Sequence, residues 1–331
     1  MTNGAPPIGL VLGSHMPPER IPAAARLAEE LGFAELWFSE DCFFGGAMSG
    51  VTAALAATAR LPVGVGIASA VTRHPALHAM ELATMSRLYP GRVWAGVGLG
   101  VPAWLDQMGL RPASPLGALR ECVVALRRLL DGETVTETGR TFTFDGVELT
   151  HTPGERVPIY LGVVNEKGLR LSGGLADGTV LSAVAGTDYV RWARGVVTEA
   201  ALAAGRDPAA HRIVTYALCS VAADGRRARD AVRDLVAFYL HAMPDNALSQ
   251  IYGIDAELQE LVSRCDAAEL ARELPEHWID DLAVAGDPEE CADRLRALLA
   301  AGSDSVGLWL FPLEQADGVA RLLATEVFPR L

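Results

Sequence analysis

Lysine is all but missing from this chain. Of 331 residues only Lys167 is a lysine, and the other 27 basic side chains are arginines. That bias reads as GC-rich coding rather than physics, but the charge balance is physical. With 41 acidic residues against 28 basic ones, the formal charge is −13. A surface of that sign repels polyanions, so nucleic acid and anionic membranes are poor partners, and a small-molecule substrate is expected instead. Cysteine is also sparse. Cys42, Cys122, Cys219, Cys265 and Cys291 are odd in number and scattered, with no C-x-x-C spacing. That argues against a disulfide framework or a zinc ribbon and fits a reducing cytoplasm.

Long apolar runs are lacking too, although the mean hydropathy is +0.22. The longest runs, around 51–59 and 93–101, are broken by Thr, Arg or Gly, well short of the roughly 20 residues that a spanning helix needs. The start, MTNGAPPIGLVLG, carries no basic segment and runs directly into strand-like sequence, so no signal peptide is expected. What is present is apolar bulk. Half of the residues are hydrophobic, too many for a disordered chain and enough to fill a large core.

The apolar residues fall into a repeating order. Short strand-like runs cover 8–12, 35–39, 63–68, 93–97, 159–162, 178–181, 213–221 and 306–311. Amphipathic stretches at 18–31, 49–60, 75–89, 115–131, 165–174, 187–204, 225–242 and 288–301 read as helices. Pro75, and Asp287 followed by Pro288, are helix-start signals. Eight strands alternating with eight helices predict an α/β fold of the closed (β/α)8, or TIM-barrel, type, with residues 1–331 as a single domain. Two insertions interrupt it. Residues 133–150 alternate polar and apolar around Asp145-Gly146, like a hairpin. Residues 243–286 form a polar, helix-forming block between the seventh and eighth units. Long insertions after barrel strands line the active-site mouth.

Chemistry in such a barrel gathers where strands end. Strand one runs into Gly13-Ser14-His15, and strand two into Ser39-Glu40-Asp41-Cys42, then Phe43, Phe44 and a glycine pair. Two adjacent carboxylates can divide acid and base work, because repulsion separates their pKa values. The plainer alternative is one helix cap and one arginine partner. Cys42 can serve as a nucleophile, but no base is indicated. Glycines inside strand three mark a bulge or a close backbone approach. Gly96-Val97-Gly98-Leu99-Gly100 superficially resembles a dinucleotide loop. However, it lacks the G-x-G-x-x-G spacing and its next helix starts only near Pro115, so a Rossmann reading is weak. The segment 162–168 is a small-residue turn into a helix, which attracts phosphate. Lys167 lies in it, facing either an anion or solvent. His74 and His78 are four apart on a helix start with only Glu81 nearby, so no metal site is expected.

These residues, taken together, are familiar. The chain resembles the bacterial luciferase-like superfamily of flavin and deazaflavin enzymes, and most of all its branch using the deazaflavin coenzyme F420, which includes methylenetetrahydromethanopterin reductases. The matching pieces include Leu31-Gly32-Phe33, Leu36-Trp37-Phe38-Ser39-Glu40-Asp41, Val65-Gly66-Ile67 and Thr72-Arg73-His74-Pro75-Ala76. Further along are Leu88-Tyr89-Pro90-Gly91-Arg92-Val93, Gly96 to Gly100, Arg120-Glu121, Leu129 to Glu133, Pro158 to Leu161 and Ala176-Asp177-Gly178. Their order and spacing extend over most of the chain.

The resemblance implies a site residue by residue. A bulge with a non-prolyl cis peptide at Gly66-Ile67, continuing to Ala68, is expected to back the deazaflavin ring, with Gly98, Leu99 and Gly100 beside it. Gly162, Val163, Val164, Asn165, Lys167 and Ser182 are expected to hold phosphate. Glu40 and Asp41 are the implied acid–base or ring-contacting residues, with His15 on the substrate side. The acid that sugar-phosphate dehydrogenases carry after strand four falls near Val101 here, which weakens that reading. The implied function is an F420-dependent oxidoreductase passing a hydride between the deazaflavin C5 and a small organic substrate. The alternatives are an FMN-dependent monooxygenase and a non-catalytic flavin- or deazaflavin-binding protein. A cytoplasmic homodimer is expected. The apolar 41–48 loop and Trp104 favour a partly hydrophobic substrate over a phosphosugar.

Overall fold

Eight parallel strands close into a ring in the computed structural model, which describes residues 6–13 and 15–331. Residues 1–5 and Ser14 lie outside the described residues. The strands are β1 (Ile8–Leu12), β2 (Leu36–Phe38), β3 (Val63–Val65), β4 (Val93–Gly98), β5 (Ile159–Gly162), β6 (Gly178–Leu181), β7 (Arg212–Val221) and β8 (Ser305–Leu310). Each pairs with the next, and β8 returns to β1 through Ile8↔Val306 and Leu10↔Leu308. Their residues are almost all buried. This is why they read as continuous apolar runs rather than as alternating ones: helices cover one face and the barrel interior fills the other. Among the described residues, no helix is long and apolar enough to cross a membrane.

The strand and helix expectations hold within about three residues at each end, but the connections differ in four places. The excursion at 133–150 is an antiparallel pair, Val135–Thr138 with Thr143–Val147, but its turn lies at 139–142 and not at Asp145-Gly146. Glu121, on the helix Pro115–Leu130, explains the shift. Its carboxylate accepts the N–H groups of Arg140 (3.0 Å), Thr141 (2.9 Å) and Phe142 (3.2 Å), fixing the turn there. Gly146 instead takes φ +63° in a strand whose register shifts, a use of glycine that bulges share with turns.

Residues 243–286 hold four helices, Ala247–Ile251, Asp255–Arg264, Ala267–Glu273 and Glu276–Leu282, and then a short strand, Val284–Gly286, beside the end of β7. Arg229 on the helix Gly225–Ala242 donates to Asp280 (2.7 Å) and Glu290 (2.6 Å), fastening this block to the barrel. A further helix, Pro102–Gln107, follows β4 where the sequence suggested only a loop. Finally, the helices 225–242 and 288–300 both precede β8. The eighth barrel helix is therefore Ala316–Leu322 with its extension toward the C-terminus, a segment the sequence pattern left unassigned.

The lower end of the barrel interior is polar and fully wired. Glu35, 1% exposed, accepts from Trp37 Nε1 (2.9 Å), Ser305 Oγ (2.8 Å) and the Arg212 guanidinium. Arg212 in turn lies over the Trp94 ring at 4.8 Å. A buried carboxylate is tolerable only while its partners remain. Arg212→Met is therefore expected to lower unfolding free energy by about 3–5 kcal/mol in denaturant titration. Adding Glu35→Leu to that variant is expected to recover part of the loss.

Candidate active site

The third strand breaks after Val65, at a cis peptide between Gly66 and Ile67, and resumes at Ala68–Ser69 against β4. The glycines in the neighbouring strands now have a cause. A Cβ on Gly98 would lie 2.9 Å from Ile67 Cγ2, one on Gly162 would lie 2.8 Å from Ile67 Cγ1, and one on Gly96 would lie 2.6 Å from Ile67 Cδ1. The Ile67 side chain therefore lies across the bare backbone of β4 and β5, half-exposed at the barrel mouth. Beneath it, a Cβ on Gly66 would meet Tyr216 Oη at 2.0 Å. That hydroxyl is buried and has no hydrogen-bond partner, as is Trp309 Nε1 on β8. Beyond β4, Leu99 is half-buried, and Gly100 turns the chain at φ +78°.

After β2, Glu40 is held as a clamp. Its two carboxylate oxygens accept from both terminal nitrogens of Arg73 at 2.6 Å, and one also accepts the Ala47 N–H at 3.2 Å. The first contact is the bidentate pairing that fixes a guanidinium in place. The second ties the loop's start to the beginning of the next helix. Asp41 is half-buried and lies near Tyr239 of the helix Gly225–Ala242, whose phenol is pushed up first by burial and then by this carboxylate. Cys42 is a poor nucleophile, because burial, then Glu40 and Asp41, raise its thiol pKa and keep it protonated. Phe43 adopts φ 75°, and it and Phe44 are exposed. Exposed His15 lies 4.5 Å from Phe44 and 6.3 Å from Trp309, ring centre to ring centre.

After β5, the turn Gly162-Val163-Val164-Asn165 leads into the helix Glu166–Leu175. The amides of Gly168 and Leu169 return to the Asn165 carbonyl, which leaves those of Glu166 and Lys167 outside the helix ladder. Such amides, at the positive end of a helix dipole, favour an anion. Two contacts set the turn's shape. Tyr189 Oη donates to the Val164 carbonyl (2.5 Å), and Asn165 Oδ1 accepts the Ala247 N–H of the large insertion (3.1 Å). Lys167 is exposed in the first helical turn, and Ser182 is half-buried just after β6.

His74 and His78 part company. His74 Nδ1 accepts the Ala76 N–H as a helix cap, and its ring packs on Phe142 and Phe144 of the hairpin. His78 is buried, and desolvation depresses its imidazole to about 4. Among the described residues, no group of three or more His, Cys, Asp or Glu could hold a metal. Sequence reasoning allowed one of the two carboxylates an arginine partner, as Glu40 has, but did not name Arg73, which stands in the Thr72-Arg73-His74-Pro75 motif. It also missed Tyr216, Tyr239 and Trp309, which carry no local signal. Val101 is exposed at the rim and puts no carboxylate there.

The mouth of this parallel barrel thus joins Ile67, lying over glycine backbone, to a helix-start turn whose first amides are outside the helix ladder. The chain belongs to the luciferase-like monooxygenase family, whose model matches residues 3–305. It is 30% identical over 283 residues to a 5,10-methylenetetrahydromethanopterin reductase of Methanolobus tindarius, covering 84% of this chain and 86% of that one. It is 27% identical over 330 residues to an F420-dependent glucose-6-phosphate dehydrogenase of Microbacterium testaceum, covering 92% and 91%. Among solved structures, the coenzyme F420-dependent tetrahydromethanopterin reductase of Methanopyrus kandleri superposes with a TM-score of 0.87 at 25% identity, covering 98% of this chain and 99% of that one.

The glycine wall is directly testable. Gly162→Ala is expected to drive its new methyl into Ile67 and cost about 1–3 kcal/mol in thermal or urea unfolding. Ile67→Ala, which removes both γ carbons that the new methyl would strike, is expected in the same chain to restore part of that stability. Additive effects of the two substitutions would show that the side chains do not meet.

Proposed function

We propose that this chain is an F420-dependent oxidoreductase acting on a small organic substrate. The observation that carries the reading is the juxtaposition of Ile67, laid across Gly98 and Gly162, with the phosphate-ready turn that follows Gly162 on the same strand. A flat ring and a phosphate on one ligand would occupy these two places together. The similarity to F420-dependent reductases and dehydrogenases favours a deazaflavin over FMN.

When bound, F420 supplies or accepts a hydride at its C5. The chain's own residues do the rest. Ile67, with Gly66 and Ala68 on one side and Gly98 to Gly100 on the other, shapes the seat for the ring. The amides of Glu166 and Lys167, supported by Gly162 to Asn165, Lys167 and Ser182, receive the phosphate. On this reading Asp41 holds or moves a proton at the mouth, with His15 on the substrate side. Glu40 acts through Arg73 and the Ala47 N–H, fixing the loop that carries Asp41. Phe43 and Phe44 shield the mouth from water.

The same reading takes residues 1–331 as one barrel domain working in the cytoplasm as a homodimer. Two observations support it. The five cysteines are free thiols, and the helix Pro75–Leu88 exposes Leu77, Met80 and Leu88, apolar surface of the kind that subunits cover.

Fluorescence titration with F420 and, separately, with FMN tests the cofactor. F420 is expected to bind at least about tenfold more tightly, a difference of about 1.4 kcal/mol. Tighter FMN binding would overturn the assignment. Asp41→Asn is expected to cut turnover by about 10²–10⁴-fold, the span of a general acid or base, with the dissociation constant for F420 within about twofold. An unchanged rate would remove Asp41 from proton transfer.

A further inference from the structure

We propose that the mouth selects an uncharged, flat, apolar substrate through an aromatic wall made of Phe44, Trp104 and His15. This rests on the reading of the mouth as an active site and deepens it by naming the substrate class.

The wall is assembled only by the fold. His15 follows β1, Phe44 lies in the loop after β2, and Trp104 is on the helix Pro102–Gln107 after β4. Phe44 sits between the other two, 4.5 Å from the His15 ring centre and 6.4 Å from that of Trp104. Phe43 and Phe44 are nevertheless 66% and 53% exposed, and Val101 beside the Trp104 helix is 43% exposed. Large apolar groups gathered at a concave mouth mark a ligand surface more than chance exposure does. The loop is not free to fold them away. Glu40 binds the Ala47 N–H across seven residues and is itself locked by Arg73. Between those anchors, Phe43 is held at φ 75°, a conformation that a bulky side chain rarely adopts.

Charge then narrows the occupant. The guanidiniums on the elements around the wall each have a carboxylate partner, Arg20 with Asp317 at 3.6 Å, Arg73 with Glu40 at 2.6 Å and Arg111 with Asp106 at 2.6 Å. A phosphorylated or carboxylated substrate would therefore meet aromatic carbon and guanidiniums that already have carboxylate partners. A flat uncharged ring would instead gain aromatic contact along the wall.

Isothermal titration calorimetry on the protein holding oxidised F420 tests this without turnover. The probes are uncharged 2-naphthaldehyde, anionic 2-naphthoate and glucose 6-phosphate. The aldehyde is expected to bind with a dissociation constant about tenfold or more below those of both anions. Phe44→Ala and Trp104→Ala are each expected to weaken the aldehyde about fivefold to tenfold, as loss of an aromatic contact does. Leu202→Ala, an exposed apolar residue on the helix Thr187–Ala203, is expected to change nothing. Equal or tighter binding of either anion overturns the proposal, as does an aldehyde affinity that neither wall variant alters. F420 binding is titrated separately by its own fluorescence. Failure of the cofactor reading would appear there, while the wall would still be judged by the aldehyde titration on the protein alone.

Discussion

The mouth of this barrel is organised by one steric fact: the Ile67 side chain lies where the Cβ atoms of strands four and five would be. Everything nearby follows from making room for it. Gly96, Gly98 and Gly162 have no side chains because any would strike Ile67 or the backbone beside it. The third strand breaks between Val65 and Ala68, where Ile67 lies across its neighbours. The turn after strand five starts at Gly162, so the place suited to phosphate begins where the seat suited to a ring ends. A single packing arrangement therefore spaces the two halves of the site.

Around this centre the structure divides its ionic contacts by depth. At the lower end, Glu35, Arg212, Trp37 and Ser305 form a closed network in which each polar group has a partner. At the lower rim, Asp177 gathers Arg127, Arg156 and the Ile159 N–H before strand six begins. Near the mouth, the Glu40–Arg73 pair instead holds a loop whose outer residues are apolar and exposed. The ion pairs below hold the barrel together, and Glu40–Arg73 above fixes the shape of an opening.

The fold was largely legible in the sequence because it rests on local signals: apolar runs of five residues, helix caps such as Asp287, and prolines at first helical positions. The cis peptide at Gly66-Ile67 was legible only through family resemblance, although the strand glycines already pointed to an irregularity there. What stayed hidden was set by contacts distant in sequence. Glu121 moved the hairpin turn to 139–142 from nineteen to twenty-one residues away. Arg73 reached back thirty-three residues to change what Glu40 can do. Tyr216 and Trp309 look like ordinary strand aromatics until closure brings them beneath Gly66 and beside His15. The eighth barrel helix was missed because two helices precede strand eight, which completes the expected count early.

One modest contact reaches further than its size suggests. The Ala247 amide, at the front of the large insertion, is bound by the side chain of Asn165, in the turn that begins the anion-accepting helix. The same insertion leans on the loop after strand six, where the Tyr252 hydroxyl accepts the Asp188 N–H. On the function proposed above, the insertion beside the substrate is thus moored to the turn that receives the cofactor's phosphate. Grafting a foreign insertion onto this barrel would have to reproduce a backbone donor opposite Asn165. Changes in what the enzyme accepts and in how firmly it grips its coenzyme would then be inherited as a single trait.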